Sequence, residues 1–219
     1  MTSTETTFRP VTSAGADPGD ISWEMSTSPS GADMLSIHGN LKPGWLGRLS
    51  SYLSLNTINT ISGSARKCGS LCWDASFEIE AKSALPNPLK GFNPLPAIMA
   101  FDTRAAIPQL KISDFVIEHS TRHGGSLYIE ISGKDCIGFL YGMLRMFSFY
   151  SLFPTELEIS TKGTIVLDRF WLKGIGSAAP SDDDLQALHE RLSQAFEDGL
   201  KKENRRGAAI EVNTSRYLH

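Results

Sequence analysis

Gly39, Pro43 and Gly44 interrupt a stretch in which Leu35 and Ile37 alternate with polar residues. From Trp45 onward the apolar residues Trp45, Leu46, Leu49 and Leu53 recur at helical spacing. A strand that ends in a glycine turn and opens a helix aims several backbone N–H groups at one spot. Such helix starts favour anions, including the carboxylate of a small molecule. The same residues also make a plain tight turn, since glycine enters the left-handed region at little steric cost. This turn differs from an isolated one because it occurs twice: Ile129–Phe149 repeats it, with Gly138 standing where Gly44 stands.

Other groupings of reactive side chains point to no catalytic chemistry. Cys68 and Cys72 with His38 would offer zinc three ligands, but the spacing matches no common finger and supplies no fourth. His119 and His123 stand four apart without the glutamate of a zinc-hydrolase helix, and their plain role is a solvated connector. No G-x-S-x-G nucleophile elbow occurs, and the Gly39–Gly44 spacing lacks the lysine of a phosphate loop. Lys201, Lys202, Arg205 and Arg206 suit the negative end of a helix better than a nucleic-acid site. The expectation is a protein with no catalytic residues, no metal and no cofactor.

The elements that must carry the turns follow from periodicity and breakers. At one constant offset Ile37 falls on Ile131, Gly39 on Gly133, Leu46 on Leu140, Gly69 on Gly163 and Asp74 on Asp168. In the first copy the turn's helix is followed by strands at Ile58–Ala65 and Ser70–Ala81, joined across Lys67–Ser70. A proline-rich loop over Pro86–Pro96 precedes a helix capped by Asn93 that ends before Pro108, and Leu110–His119 is a fourth strand. In the second copy Ser126–Ser132 is a strand, Cys136–Phe149 a helix, and Thr155–Thr161 with Thr164–Lys173 a hairpin across Lys162-Gly163. Gly174–Pro180 is a loop. Ser181–Leu200 is a helix opened by a capping box from Ser181 to Asp184, and Ala208–Asn213 is a last strand. Residues 1–31 read as a flexible arm, although Ile21, Trp23 and Met25 alternate and could add an edge strand.

Composition sets the bounds. A chain of 219 residues, 41% hydrophobic, can bury a core in one large or two small domains. A formal charge of −3 argues against nucleic acid, and no apolar run is long enough for a membrane span. No secretory signal is visible in MTSTETTFRP, and three cysteines suit a reduced, cytoplasmic protein.

The repeated pattern resembles the ACT domain, a small regulatory module that binds ligands. Pro43-Gly44-Trp45-Leu46 and Asn59-Thr60-Ile61 carry the likeness in the first copy, and Asp135, Gly138, Phe139 and Leu140 carry it in the second. Thr161-Lys162-Gly163 and Val166–Phe170 resemble the hairpin in the paired ACT domains of the bacterial nitrogen-control uridylyltransferase. The free-standing layout is similar to regulators of the glycine-cleavage type. Leu41 stands at the acidic position of the first copy, Ile137 replaces the proline of the second, and Phe153 replaces its asparagine.

The resemblance implies an α+β protein of two ferredoxin-like βαββαβ domains in tandem, at 32–122 and 123–219, with antiparallel sheets and helices on one face. It further implies a noncatalytic regulator that binds an amino acid. The implied ligand residues are Asn40, Leu41, Gly44, Trp45, Leu46 and Asn59 with Asp135, Cys136, Gly138, Phe139 and Leu140. A homodimer and a regulated protein partner are expected, with an assembly module lacking a small ligand as the alternative.

Overall fold

The computed structural model describes residues 21–27, 31–82, 89, 91–99 and 105–215. Most of the expected N-terminal arm, and residues 86–88 and 90 of the Pro86–Pro96 loop, lie outside the described residues. In chain order the elements are β1 (Ser22–Thr27), β2 (Asp33–Asn40), α1 (Trp45–Leu55), β3 (Ile58–Lys67), β4 (Cys72–Ala81) and α2 (Leu95–Met99). They continue with β5 (Ile112–Ser120), β6 (Ser126–Lys134), α3 (Phe139–Phe149), β7 (Phe153–Lys162), β8 (Ile165–Lys173) and α4 (Asp182–Ser215). The local signals act where expected. Asn93 Oδ1 accepts the Leu95 N–H at 3.0 Å to start α2, and Ser181 and Asp184 exchange their capping bonds before α4.

The eight strands form one antiparallel sheet in the order β1-β2-β4-β3-β7-β8-β6-β5. This overturns the expectation of two tandem βαββαβ domains. The strand over 112–120 does not close the first unit: it pairs with β6, to which a turn of five residues joins it. A short hairpin costs far less loop entropy than a return across the whole first unit. The alternating Ile21–Met25 stretch takes the corresponding place beside β2, as β1. Ala208–Asn213 is not a strand but part of α4. Each copy is therefore ββαββ followed by a helix, and the two copies share one sheet.

Strand order reads the same from either edge, so a pseudo-two-fold axis passes between β3 and β7, where Ser64 lies opposite Glu158. The duplication survives in detail. Helices α1 and α3 each have eleven residues and start at a left-handed glycine, Gly44 at φ 79° and Gly138 at φ 83°. Both hairpins shift register at matching points, after Thr60 and after Pro154. One pairing is corrected. Lys67 lies opposite Trp73, whereas Thr161 lies opposite Val166, so the second hairpin is one residue shorter. Asp168 therefore corresponds to Ala75 and not to Asp74.

A one-residue slip in a strand moves a side chain to the other face of the sheet. Asp74 is exposed beside His38, while Asp168 is buried among Val166, Phe170 and Leu172. The apolar face, with Leu35, Ile37, Phe77, Ile79, Leu127, Ile129 and Phe170, packs in one core with Leu49 and Leu53 of α1 and Met143 and Phe147 of α3. The opposite face is polar, with Ser36, Ser62 and Ser76 on one half and Glu130, Glu158 and Arg169 on the other. Pairing of β3 with β7 gives each copy a covered edge inside the chain, which an open sheet edge otherwise lacks. Among the described residues no helix is long and apolar enough to cross a membrane.

Candidate functional site

The pseudo-two-fold sets α1 and α3 side by side and antiparallel, so each helix start lies beside the far half of the other helix. Two mate positions result, and they have diverged. At the first, the Gly138 turn meets the end of α1. Asp135 Oδ2 accepts a hydrogen bond from Asn59 Nδ2 at 2.8 Å, joining the two copies. A Cβ on Gly138 would stand 2.6 Å from Ser54 Oγ, so α1 is packed down on the turn. What remains is a cavity of about 20 Å³ lined by Ser50, Asn59, Asp135, Phe139, Leu140 and Asp168, with room for one water.

Asp168 is 1% exposed, and its Oδ1 has no hydrogen-bond partner among the described residues. Burial first, and then the nearby Asp135 charge, push its carboxyl up to about 7, against a bond from the Ser160 backbone N–H. This end is a closed polar junction.

At the mate position the same backbone is kept and the side chains are exchanged. The Leu41 N–H donates to the Leu71 carbonyl at 2.9 Å, as the Asp135 N–H does to that of Thr164 at 2.8 Å. Leu41 stands for Asp135, Phe153 for Asn59, Ala75 for Asp168 and Arg48 for Gly142. No bond can form between leucine and phenylalanine, and the Phe153 ring is too large to tuck under the turn, so it remains exposed. A cleft of about 650 Å³ opens there, within the usual size of small-molecule sites.

Its walls are Leu41, Trp45, Leu46, Trp73, Leu144 and Leu152, with Leu71, Phe153 and Ile175 exposed at the mouth. Trp45 and Trp73 meet edge to face, 5.5 Å between ring centres, and the buried Trp45 indole N–H finds no acceptor among the described residues. Arg48, Lys67, Arg145 and Lys173 line the cleft, and among the described residues no acidic one does. Arg48 donates to the carbonyls of Ile98 and Pro43, and burial lowers its pKa. Lys173 holds the carbonyls of His123, Gly124 and Gly125.

The candidate residues from the sequence are thus split between the two ends. Leu41, Gly44, Trp45 and Leu46 border the cleft, whereas Asn59, Asp135, Gly138, Phe139 and Leu140 border the closed cavity. Asn40 is exposed at the end of β2, opposite Cys72. Cys136 is half-buried with a free thiol, whose pKa is raised by burial and then by Asp135.

Lys67, Leu71, Trp73, Arg145 and Ile175 escape a reading of the turns because they come from other elements. Asp168 could have been found: strict alternation along Val166, Asp168, Phe170 and Leu172 puts it on the apolar face. The Cys68–Cys72 disulfide staples the hairpin that carries Ser70 and Leu71 to the mouth. It departs from the reduced-thiol expectation and removes both sulfurs as zinc ligands. Among the described residues no group of three metal-binding side chains exists. His119 pairs with Asp182 and His123 with Glu156, each at 2.8 Å. No family model, curated protein or solved structure matches the chain.

The two glycine turns should respond differently to alanine. Each substitution puts a Cβ in the left-handed region, at roughly 1–2 kcal/mol. At Gly44 the new atom meets only the far end of Arg48, at 3.2 Å, whereas at Gly138 it collides with Ser54. Urea unfolding should show Gly138→Ala to be the more destabilised by about 1–2 kcal/mol. Equal losses would mean that α1 does not clamp the second turn.

Proposed function

We propose that this chain is a noncatalytic regulatory protein that responds to a small molecule bound in the cleft at the Gly44 turn. The observation that carries the proposal is the divergence of the two mate positions. The same turn is closed by Asn59–Asp135 at one end and held open by Leu41 and Phe153 at the other. An open apolar cleft walled by two tryptophans costs stability unless something fills it. A second function, as a protein-interaction module, draws on Leu71, Phe153 and Ile175, which are 46%, 42% and 72% exposed around the mouth.

Gly47 provides the test. It borders the cleft on α1, and among the described residues a Cβ there meets nothing within 4 Å. Gly47→Phe should fill the cleft with the fold intact, helped by better helix propensity. A thermal-shift screen of amino acids and of organic acids from short to fatty-acid length should give saturable stabilisation of the wild type by at least one compound. That stabilisation approaches about 2.7 kcal/mol at a hundred times Kd. It should be absent in Gly47→Phe. Equal shifts in both proteins would remove the cleft as the site, and no shift with any compound would favour the interaction module.

A further inference from the structure

We infer that the cleft takes a lipophilic monoanion, a fatty-acid-like carboxylate, in place of the zwitterionic amino acid that the turn pattern suggests. The inference rests on the cleft being the ligand site. It starts from the charges. Among the described residues, four cationic side chains and no carboxylate line the cleft of a chain whose formal charge is −3. Lys173 donates to the neutral carbonyls of His123, Gly124 and Gly125. Lys67 and Arg145 have no acidic partner among the described residues.

Helix α1 adds the positive end of its dipole, with no side-chain cap and no acidic residue in its first turn. A ligand ammonium would enter this field with no carboxylate among the described residues to meet it. The acid that the repeated turn offers for that role, Asp135, lies at the other end, bonded to Asn59 beside a cavity of only about 20 Å³.

The apolar part follows from the walls. The floor is leucine and tryptophan, and the volume of about 650 Å³ is far more than the apolar group of one amino acid fills. An acyl chain would lie along Trp45, Trp73, Leu144 and Leu152, with its carboxylate toward Lys67 and Arg145 at the mouth. The desolvated chain supplies affinity and the basic rim supplies selection by charge.

The experiment is calorimetric titration of the whole protein with dodecanoate, dodecanol, dodecyltrimethylammonium and phenylalanine, each below its aggregation concentration. Dodecanoate should bind one per chain and change the tryptophan fluorescence, dodecanol should bind about tenfold more weakly, and the other two should not bind. Lys67→Glu with Arg145→Glu should weaken dodecanoate about tenfold or more while leaving dodecanol unchanged. Gly47→Phe should abolish binding of both. Equal affinities for acid and alcohol would overturn the charge argument. Binding of phenylalanine without dodecanoate would overturn the ligand class and leave the cleft as a regulatory site. Dodecanoate binding that survives Gly47→Phe would place it elsewhere and overturn the inference, and silence from every probe would overturn the inference while leaving the cleft's role to the wider thermal-shift screen.

Discussion

Asp168→Asn should stabilise the fold by about 4 kcal/mol at pH 8 and change it little near pH 4. The carboxyl is buried in the core side of β8, and its pKa rises from 3.8 to about 7 on folding. Between those values the folded state holds a proton that the unfolded chain has released. Stability is therefore greatest below the unfolded pKa and falls as pH rises through the folded one. Above pH 7 the folded protein carries a buried anion that, among the described residues, has the Ser160 backbone N–H as its donor.

Asparagine removes the ionisation and keeps the shape, and its new amide N–H can face Asp135. Urea unfolding at half-unit steps from pH 4.5 to 8.5 should show the wild type losing stability and the variant staying flat over this range. Parallel curves would mean that Asp168 reaches solvent or a partner cation and carries no such cost.

The second large effect is a cycle that rebuilds the closed junction at the open end. Leu41→Asp alone should cost about 4 kcal/mol, because leucine burial is lost and an unpaired carboxylate takes its place. Leu41 is 1% exposed, so water cannot relieve that charge without movement. Adding Phe153→Asn supplies the partner that Asn59 gives Asp135, and the charged hydrogen bond should return about 1.5–3 kcal/mol.

Phe153→Asn by itself should cost less than Leu41→Asp, since Phe153 is half-exposed at the cleft mouth. The double variant should then be more stable than Leu41→Asp and should no longer bind ligand. Strict additivity of the two changes would show that the turns are not equivalent across the pseudo-two-fold.

The duplication, the helix starts at Gly44 and Gly138, the caps at Asn93 and Ser181 and most strands were legible because each depends on residues a few positions apart. Glycine's freedom at positive φ, the capping of orphan N–H groups and the two periodicities are local physics, and local physics is written in order along the chain. Even the alternation at Ile21–Met25 and at Val166–Leu172 was there to be read, and the second of these would have exposed Asp168.

What pairs with what was not local. Strand 112–120 has the same pattern whether it closes the first unit or opens the second. Only the low cost of a hairpin over Thr121–Gly125, and the β3–β7 join that fuses both copies, decided between them. The two ends of the helix pair diverged for a reason of the same kind. Leu41 and Phe153 are more than a hundred residues apart and meet only across the pseudo-two-fold. The sequence by itself determined that this protein has two copies of one turn. Tertiary structure alone decided that one is held shut by Asn59 and Asp135 and the other stands open. Closure needs a donor and an acceptor from different copies, and only one of the two meeting places has both.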